Sequence, residues 1–380
     1  MKKGNLLIVF ILIIGLAAIV GSIAFLTSTS IKSAGYLIKN DKAFYIAEAG
    51  LEKAIWNFNT GIGSSWRTSG STESFGGGSY TMRVADAPNG DVIITAEGSY
   101  QGRTRSLQIR YQQYSDAFDY AVYSIQDLSL GNNTTISGDI FVDGDVEIKN
   151  NAEVVDGVVV TTEGHSVTGG GSWTPGTPPD PLPTPPTLDT TFYDNEIATA
   201  LASGTVNYNY SGTLNLAGGT IYASNDINID GTIIGPGSLV AGNNITIDNS
   251  TAIGSNILLI CQNILDINNN TSIEADNTTL FATTQVSLYN NVVASEVIIL
   301  SPGTISINNN VTITGFIFSG QLNMDNNVDF SGSIQTGGFS TNNTIGNNSS
   351  ITYDPSYLPD VLPPGLDVGY SLAEDSWKEL

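Results

Sequence analysis

Positive charge is nearly missing from most of this chain. Past Arg110 only Lys149 and Lys378 are cationic, and the whole sequence sets 13 Lys plus Arg against 36 Asp plus Glu, a formal net charge of −23. Nucleic acid and anionic lipid both need a basic surface, so neither is expected as the main partner. A single cysteine, Cys261, excludes an intrachain disulfide. It ends the apolar run Asn256-Ile-Leu-Leu-Ile-Cys261 and reads as a buried structural thiol. The one histidine, His165, lies in a Gly-rich stretch and cannot anchor a His-based nucleophilic system. Charged residues make up only 13% of the chain, so solubility must rest on Asn, Ser, Thr and the 41 glycines. That balance is typical of repetitive β proteins rather than helical enzymes. The 380 residues allow two or three domains.

What is present begins with a long uncharged segment. Lys2 and Lys3 are followed by no charge until Lys32, leaving 28 uncharged residues from Gly4 to Ile31. As a helix they span about 42 Å, more than the roughly 30 Å of a bilayer core. The transmembrane segment is expected at about 5–30. The two leading lysines and the acidic bulk behind them place the N-terminus in the cytoplasm and the rest outside it. A cleaved secretory signal does not fit, because the apolar run is too long and the helical pattern continues beyond it. A plain membrane anchor and a prepilin-type leader both remain.

Beyond the membrane, Leu37, Phe44, Ala47, Leu51, Ala54, Ile55 and Phe58 form one apolar stripe at helical spacing. The helix is expected to stop near Asn59-Thr60-Gly61. One helix over 1–60 thus has a bilayer half and a half for packing on a folded domain. The stretch Lys42-Ala-Phe-Tyr-Ile-Ala-Glu-Ala-Gly-Leu-Glu-Lys-Ala54 resembles the segment after the membrane helix in PilX-type minor pilins and related type IV pilus assembly proteins. The resemblance covers residues 1 to about 58. It implies prepilin peptidase cleavage between Gly4 and Asn5, and partners among other pilins and the pilus assembly machinery. Major pilins carry a glutamate at the fifth residue of the processed chain; here that position is Val9. The departure implies an accessory subunit rather than a repeating one. Glu48 and Glu52 read as a solvated helix face.

Residues 61–115 read as a small antiparallel segment packed on the helix. Residues 62–78 are Gly- and Ser-rich and are expected to be a loop. Strands are predicted at 79–84, 92–96 and 103–111, with turns at Pro88-Asn-Gly90 and Gln101-Gly102.

The remainder is repetitive. Asp226-Ile-Asn-Ile-Asp-Gly231, Asn244-Ile-Thr-Ile-Asp-Asn249, Leu265-Asp-Ile-Asn-Asn-Asn270 and Ile305-Ser-Ile-Asn-Asn-Asn310 belong to a series recurring every 17 to 21 residues. A second series, including Ile257-Leu-Leu-Ile260 and Val297-Ile-Ile-Leu300, alternates with it, and a third lies between. Three short strands per period predict a parallel β-helix over 116–353, with Asn ladders at the corners. A Pro-rich insertion is expected at about 164–205, with a short helix at 191–203. Roughly nine coils stacked in chain order would make an ~45 Å rod, capped at its open end by 354–380. The fold class is therefore mainly β, with a long N-terminal helix, a small meander and a C-terminal solenoid.

β-Helices often degrade polysaccharides. Lyases on this fold want a basic proton acceptor, and hydrolases want clustered aspartates with basic clamps; two lysines past Arg110 supply neither. No Cys/His metal cluster and no phosphate loop is present, and no cofactor is expected. Asp143 and Asp145, flanking Gly144, are weak candidates for a Ca²⁺ site, and a turn with solvated carboxylates explains them more simply. The expected function is a non-enzymatic, minor-pilin-like membrane-anchored surface protein displaying an acidic β-helix for adhesion or assembly, with a glycan or protein ligand. The alternatives are a plain anchored surface β-helix and, third, a carbohydrate-active enzyme.

Overall fold

The computed structural model describes residues 3–60, 70–86, 91–113, 115–337, 342–359, 362–367, 370–372 and 378–379. The expected turn at Pro88-Asn-Gly90 and the helix stop at Gly61 lie outside these. The chain divides into two units, residues 1–113 with 371–380, and residues 114–370.

In the first unit, helix α1 (Lys3–Thr60) runs unbroken through 58 residues. Against its second half lies an antiparallel sheet in the order β1 (Ser71–Phe75), β2 (Gly78–Asp86), β3 (Val92–Tyr100) and β4 (Arg103–Gln113). The extra strand β1 corrects the expected loop. Gly76 and Gly77 both take positive φ, 62° and 81°, which is the backbone of a two-residue hairpin with primed turn geometry. Lys378–Glu379 adds a further antiparallel pairing onto β4, so the chain's last residues join this unit. Alternation places Tyr80, Met82, Ile94, Ala96, Leu107 and Ile109 on the face that meets the helix. Gly98 lets strand and helix approach closely. A Cβ there would sit 2.2 Å from the Ala43 carbonyl oxygen and 2.3 Å from the Ala47 nitrogen.

The second unit is a parallel β-solenoid of about 12 turns with three sheets. Sheet A carries the Ile-x-Ile strands at 227–229, 245–247 and 264–267 and their equivalents. Sheet B carries the short strands at 252–253, 272–274 and 312–314. Sheet C carries the apolar runs at 237–241, 257–261 and 279–282. Inward Ile, Leu and Val from all three build one continuous core.

The coils do not stack in chain order. The last coil sits on the first: Ile334 pairs with Val122, Asn343 with Leu128 and Ser350 with Thr135, all in parallel register. From there the stack continues through 140–155 to 159–169. The axis therefore begins with the coil at 208–223, climbs to 353, and finishes with the N-terminal coils. Coil 343–353 is internal and offers no open end to cap. This corrects both the nine-coil chain-order rod and the C-terminal cap. Residues 355–359 and 362–367 instead lie along the outside of sheet C, where Leu358, Leu362 and Leu366 pack with Phe316 and Phe318.

The Pro-rich insertion is also shorter than expected. Val167–Gly169 still pairs with Val146–Ile148, and bridges persist to Ser172 and Pro175. Beyond them the chain leaves the solenoid and crosses the outer side of sheet C. Helix α2 (Thr191–Leu201) buries Tyr193, Ile197 and Ala200 there, with the Tyr193 ring stacked on Phe281 at 3.8 Å. Sheet C is thus apolar on both faces and covered on both.

Candidate functional surfaces

The first surface is α1. An 18-residue window within Val9–Phe58 has mean hydropathy 2.9 and no buried share, so the helix is long and apolar enough to cross a membrane. Three of its hydroxyls are satisfied within the helix. Ser22, Thr27 and Thr29 donate to the carbonyls of Ala18, Ile23 and Phe25, one turn back, at 2.7–2.8 Å. A hydroxyl bonded to its own helix can sit in hydrocarbon without an orphaned donor. Gly4 and Asn5 lie in the first turn, and Val9 is 53% exposed.

Of the predicted packing stripe, Ala47, Leu51 and Ala54 are fully buried, and Phe44, Ile55 and Phe58 are partly buried against the sheet. Leu37 is not part of it: it is 62% exposed. The sheet reaches up the helix only as far as the turn after β3, where Arg103 lies over the Tyr36 ring at 4.6 Å and Lys42 donates to Tyr100 Oη at 3.2 Å. Helical spacing alone overlooked Ala43 and Ile46, which are both buried. Gly98 was the missing signal, because it admits the helix at this level.

The second surface is the corner between sheets A and B. Asn270, Asn291, Asn310, Asn327, Asn348, Asn133 and Asn151 all sit there with φ between 54° and 60°. This left-handed conformation is one that Asn tolerates better than most residues. Their side chains stack: Asn291 Nδ2 donates to Asn270 Oδ1 at 3.1 Å and Asn327 Nδ2 to Asn310 Oδ1 at 3.2 Å. A second ladder runs beside it through Asn269, Asn290, Asn309, Asn326 and Asn347. Both cross the junction of last and first coils, with Asn132 Nδ2 to Asn347 Oδ1 at 3.1 Å and Asn133 Nδ2 to Asn348 Oδ1 at 3.0 Å. Outward rows of Asn, Ser, Thr and Asp on sheets A and B, including Asn228, Thr246, Ser306, Thr314 and Thr344, give a regular polar surface.

At the corner from sheet C to sheet A the carboxylates cap the backbone. Asp127 accepts from the Asp145 N–H at 2.8 Å, and Asp145 accepts from the Ser166 N–H at 2.8 Å. These Ser166 bonds hold the Asp145 carboxyl below its ordinary value. Asp143 accepts from Thr162 Oγ1 at 2.5 Å. Both carboxylates of the candidate Ca²⁺ pair therefore accept hydrogen bonds from the next coil. Among the described residues no group of three or more His, Cys, Asp or Glu is placed to hold a metal ion.

One niche on sheet A departs from the pattern. Tyr289 takes a place where neighbouring coils carry Asn268 and Asn308, and it is half-buried. It covers Asp266. Burial pushes the Asp266 carboxyl up, against hydrogen bonds from Ser287 and Tyr289 that pull it down. Its Oδ1 has no partner. The niche offers an acceptor and two hydroxyls, which is hydrogen-bonding chemistry.

Neither a protein-family profile nor a curated protein matches the sequence. Among solved structures, the chain is similar to a competence-associated pilin, ComZ, from Thermus thermophilus. The identity is 14%, the match covers 90% of this chain and 97% of that one, and the TM-score is 0.31. It is also similar to an ice-binding protein from the Antarctic ascomycete Antarctomyces psychrotrophicus, at 12% identity over 62% of this chain and 95% of that one, with a TM-score of 0.22. Superpositions this loose carry no functional inference.

Proposed function

We propose that this chain is a membrane-anchored surface protein of minor-pilin type, in which α1 spans the membrane and joins other pilins or their assembly machinery. The solenoid is then a non-catalytic display module on the extracytoplasmic side. The observation that carries the reading is the two-zoned helix. From Val9 onward its first half is exposed and apolar, and its second half buries Ala43, Ile46, Ala47, Leu51 and Ala54 against the antiparallel sheet. An apolar N-terminal helix and a β-solenoid are compatible with a membrane-anchored surface protein. Val9 in place of an acid supports an accessory rather than a repeating subunit. The polar rows of sheets A and B, on a chain of net charge −23, suit a neutral glycan or a protein ligand.

Mass spectrometry of the N-terminus of membrane-fraction protein tests this. A chain beginning at Asn5 supports pilin processing. An intact Met1 in the membrane fraction supports the plain anchored surface protein. Recovery in the soluble fraction contradicts both, and turnover of an acidic polysaccharide by the purified protein contradicts the non-catalytic role.

A further inference from the structure

The acidity that argues against an anionic lipid surface belongs to the second unit. The first unit, residues 1–113 with 371–380, holds 12 of the 13 Lys and Arg but only 10 of the 36 Asp and Glu. Its cations gather where α1 would leave the bilayer. From residue 32 to 47 the helix carries Lys32, Lys39 and Lys42 against Asp41 alone, and the β3–β4 turn adds Arg103 and Arg105 with no acid between 98 and 106. Positive charge beside a span is favoured on its cytoplasmic side, so in the proposed topology these outer cations do not serve to orient the helix.

The fold brings them to one place. Strand β4 runs beside the helix from Arg103, whose guanidinium lies over the Tyr36 ring at 4.6 Å, to Tyr111, whose ring meets Phe58 at 5.2 Å. The β3–β4 turn at Gln101-Gly102 is therefore the end of the sheet nearest the apolar half of α1. The helix face that packs on the sheet through Ala43, Ile46 and Ala47 continues past the sheet as Lys32, Tyr36 and Lys39, spaced i, i+4 and i+7. There the helix is uncovered: Tyr36 is 51% exposed, and Leu37 and Ile38 beside it are 62% and 57% exposed.

The apolar run alone does not fix how deep α1 sits. Its ~42 Å of uncharged helix exceeds a ~30 Å hydrocarbon core by ~12 Å, so a range of depths and tilts satisfies it. Interfacial Tyr, Lys and Arg side chains set the position of such a span. With Ile31 at the edge of the hydrocarbon, Tyr36 stands about 7.5 Å beyond it, at the level of the headgroups. We propose that Lys32, Tyr36, Lys39 and Arg103 form a collar that binds the phosphates of anionic phospholipid in the extracytoplasmic leaflet and so sets the depth of α1. The inference rests on the reading of α1 as a membrane anchor. Lipid is the occupant because the collar is continuous with the span: the bilayer that receives residues 9–31 brings its headgroups to residues 32–39 with no further docking step.

Spin labelling of the full chain in nanodiscs tests the collar, with phosphatidylcholine alone or with one-third phosphatidylglycerol. Cys261 is buried, so single labels can be placed by Gln101→Cys at the turn and, separately, by Ile19→Cys in the span. The ratio of nickel-protected to water-exposed label at 101 should rise at least about fivefold with phosphatidylglycerol, the worth of one cation at an anionic surface. It should fall back in molar salt. Lys32→Gln combined with Lys39→Gln and Arg103→Gln should remove the rise. An unchanged ratio at 101 overturns the proposal, as does a rise that survives the triple substitution. Protection that appears only in discs holding two chains assigns the collar to a second copy and overturns it too. The label at 19 separates the two readings. If it is oxygen-accessible and nickel-protected in both discs, α1 stands as an anchor even when the collar fails, whereas water exposure at 19 removes the anchor and the collar together. The lipid comparison on the labelled parent chain decides the matter even if the triple variant fails to fold.

Discussion

Asparagine does two things at the A–B corners. It accepts a left-handed backbone, and its side chain hydrogen-bonds to the coil beside it. Asn310, at φ 60°, shows both, since its Oδ1 accepts from Asn327. Asn310→Ala should cost about 2 kcal/mol, roughly half from the backbone and half from the ladder. Asn310→Gly should cost about 1 kcal/mol, because glycine restores only the backbone term. Urea midpoints of the two variants separate the contributions; equal losses would mean the left-handed backbone carries no strain. Asp266 behaves oppositely. Its folded-state pKa is raised, so ionising it opposes folding, and that cost grows as pH rises from the ordinary carboxylate value through the raised one. Asp266→Asn should raise Tm at pH 7 by about 1–2 °C and leave it unchanged near pH 3, where the wild-type carboxyl is protonated. The Asn corners were legible because Asn-Asn recurs every 17 to 21 residues, at the same point of each repeat. The partial shielding of Asp266 was not, because Tyr289, which hydrogen-bonds to it, belongs to the next coil.

The packing of α1 on its sheet depends on how closely two backbones approach. Gly98→Val places side-chain carbons against the backbone of Ala43 and Ala47, and should cost about 3 kcal/mol. Guanidinium unfolding of the full chain in detergent would show it; an unshifted midpoint means the strand does not lie on the helix at that level. Periodicity located the stripe from Phe44 to Phe58, but it also recruited Leu37, because a 3.6-residue repeat says which way a residue faces and not how far the opposing sheet extends. The hairpin joining β1 to β2 was hidden by composition. Phe75-Gly-Gly-Gly-Ser79 is Gly-rich like a loop, and the flanking residues Glu73 and Ser74 are exposed and show no apolar alternation.

At the scale of the molecule, a repeat predicts that coils stack, and says little about which coil stacks on which. Each coil presents the same row of backbone donors and acceptors, so the last coil pairs with the first as well as with the one before it. The closure is testable. In a chain-order stack Asn132 and Asn347 would lie at opposite ends, whereas here their side chains are 3.1 Å apart. The double substitution Asn132→Cys with Asn347→Cys should oxidise to an intrachain disulfide, and failure to cross-link while both thiols react with maleimide argues against this coil order. The covering of sheet C did leave a trace in the sequence. Runs such as Ile257-Leu-Leu-Ile260 and Phe316-Ile-Phe318 are apolar at successive positions rather than alternate ones, which marks a strand buried on both faces.

In the proposed topology α1 anchors the chain and the solenoid lies outside the cell. The protein supplies a quiet background for testing it: its one cysteine, Cys261, is fully buried, and burial pushes the thiol pKa up, away from thiolate reactivity. The decisive measurement is labelling of intact cells with a membrane-impermeant maleimide, using a Glu163→Cys variant at an exposed corner of the solenoid. With the solenoid outside, the variant is expected to label in intact cells and the parent chain is not. Labelling of Glu163→Cys that appears only after the cells are broken would contradict it.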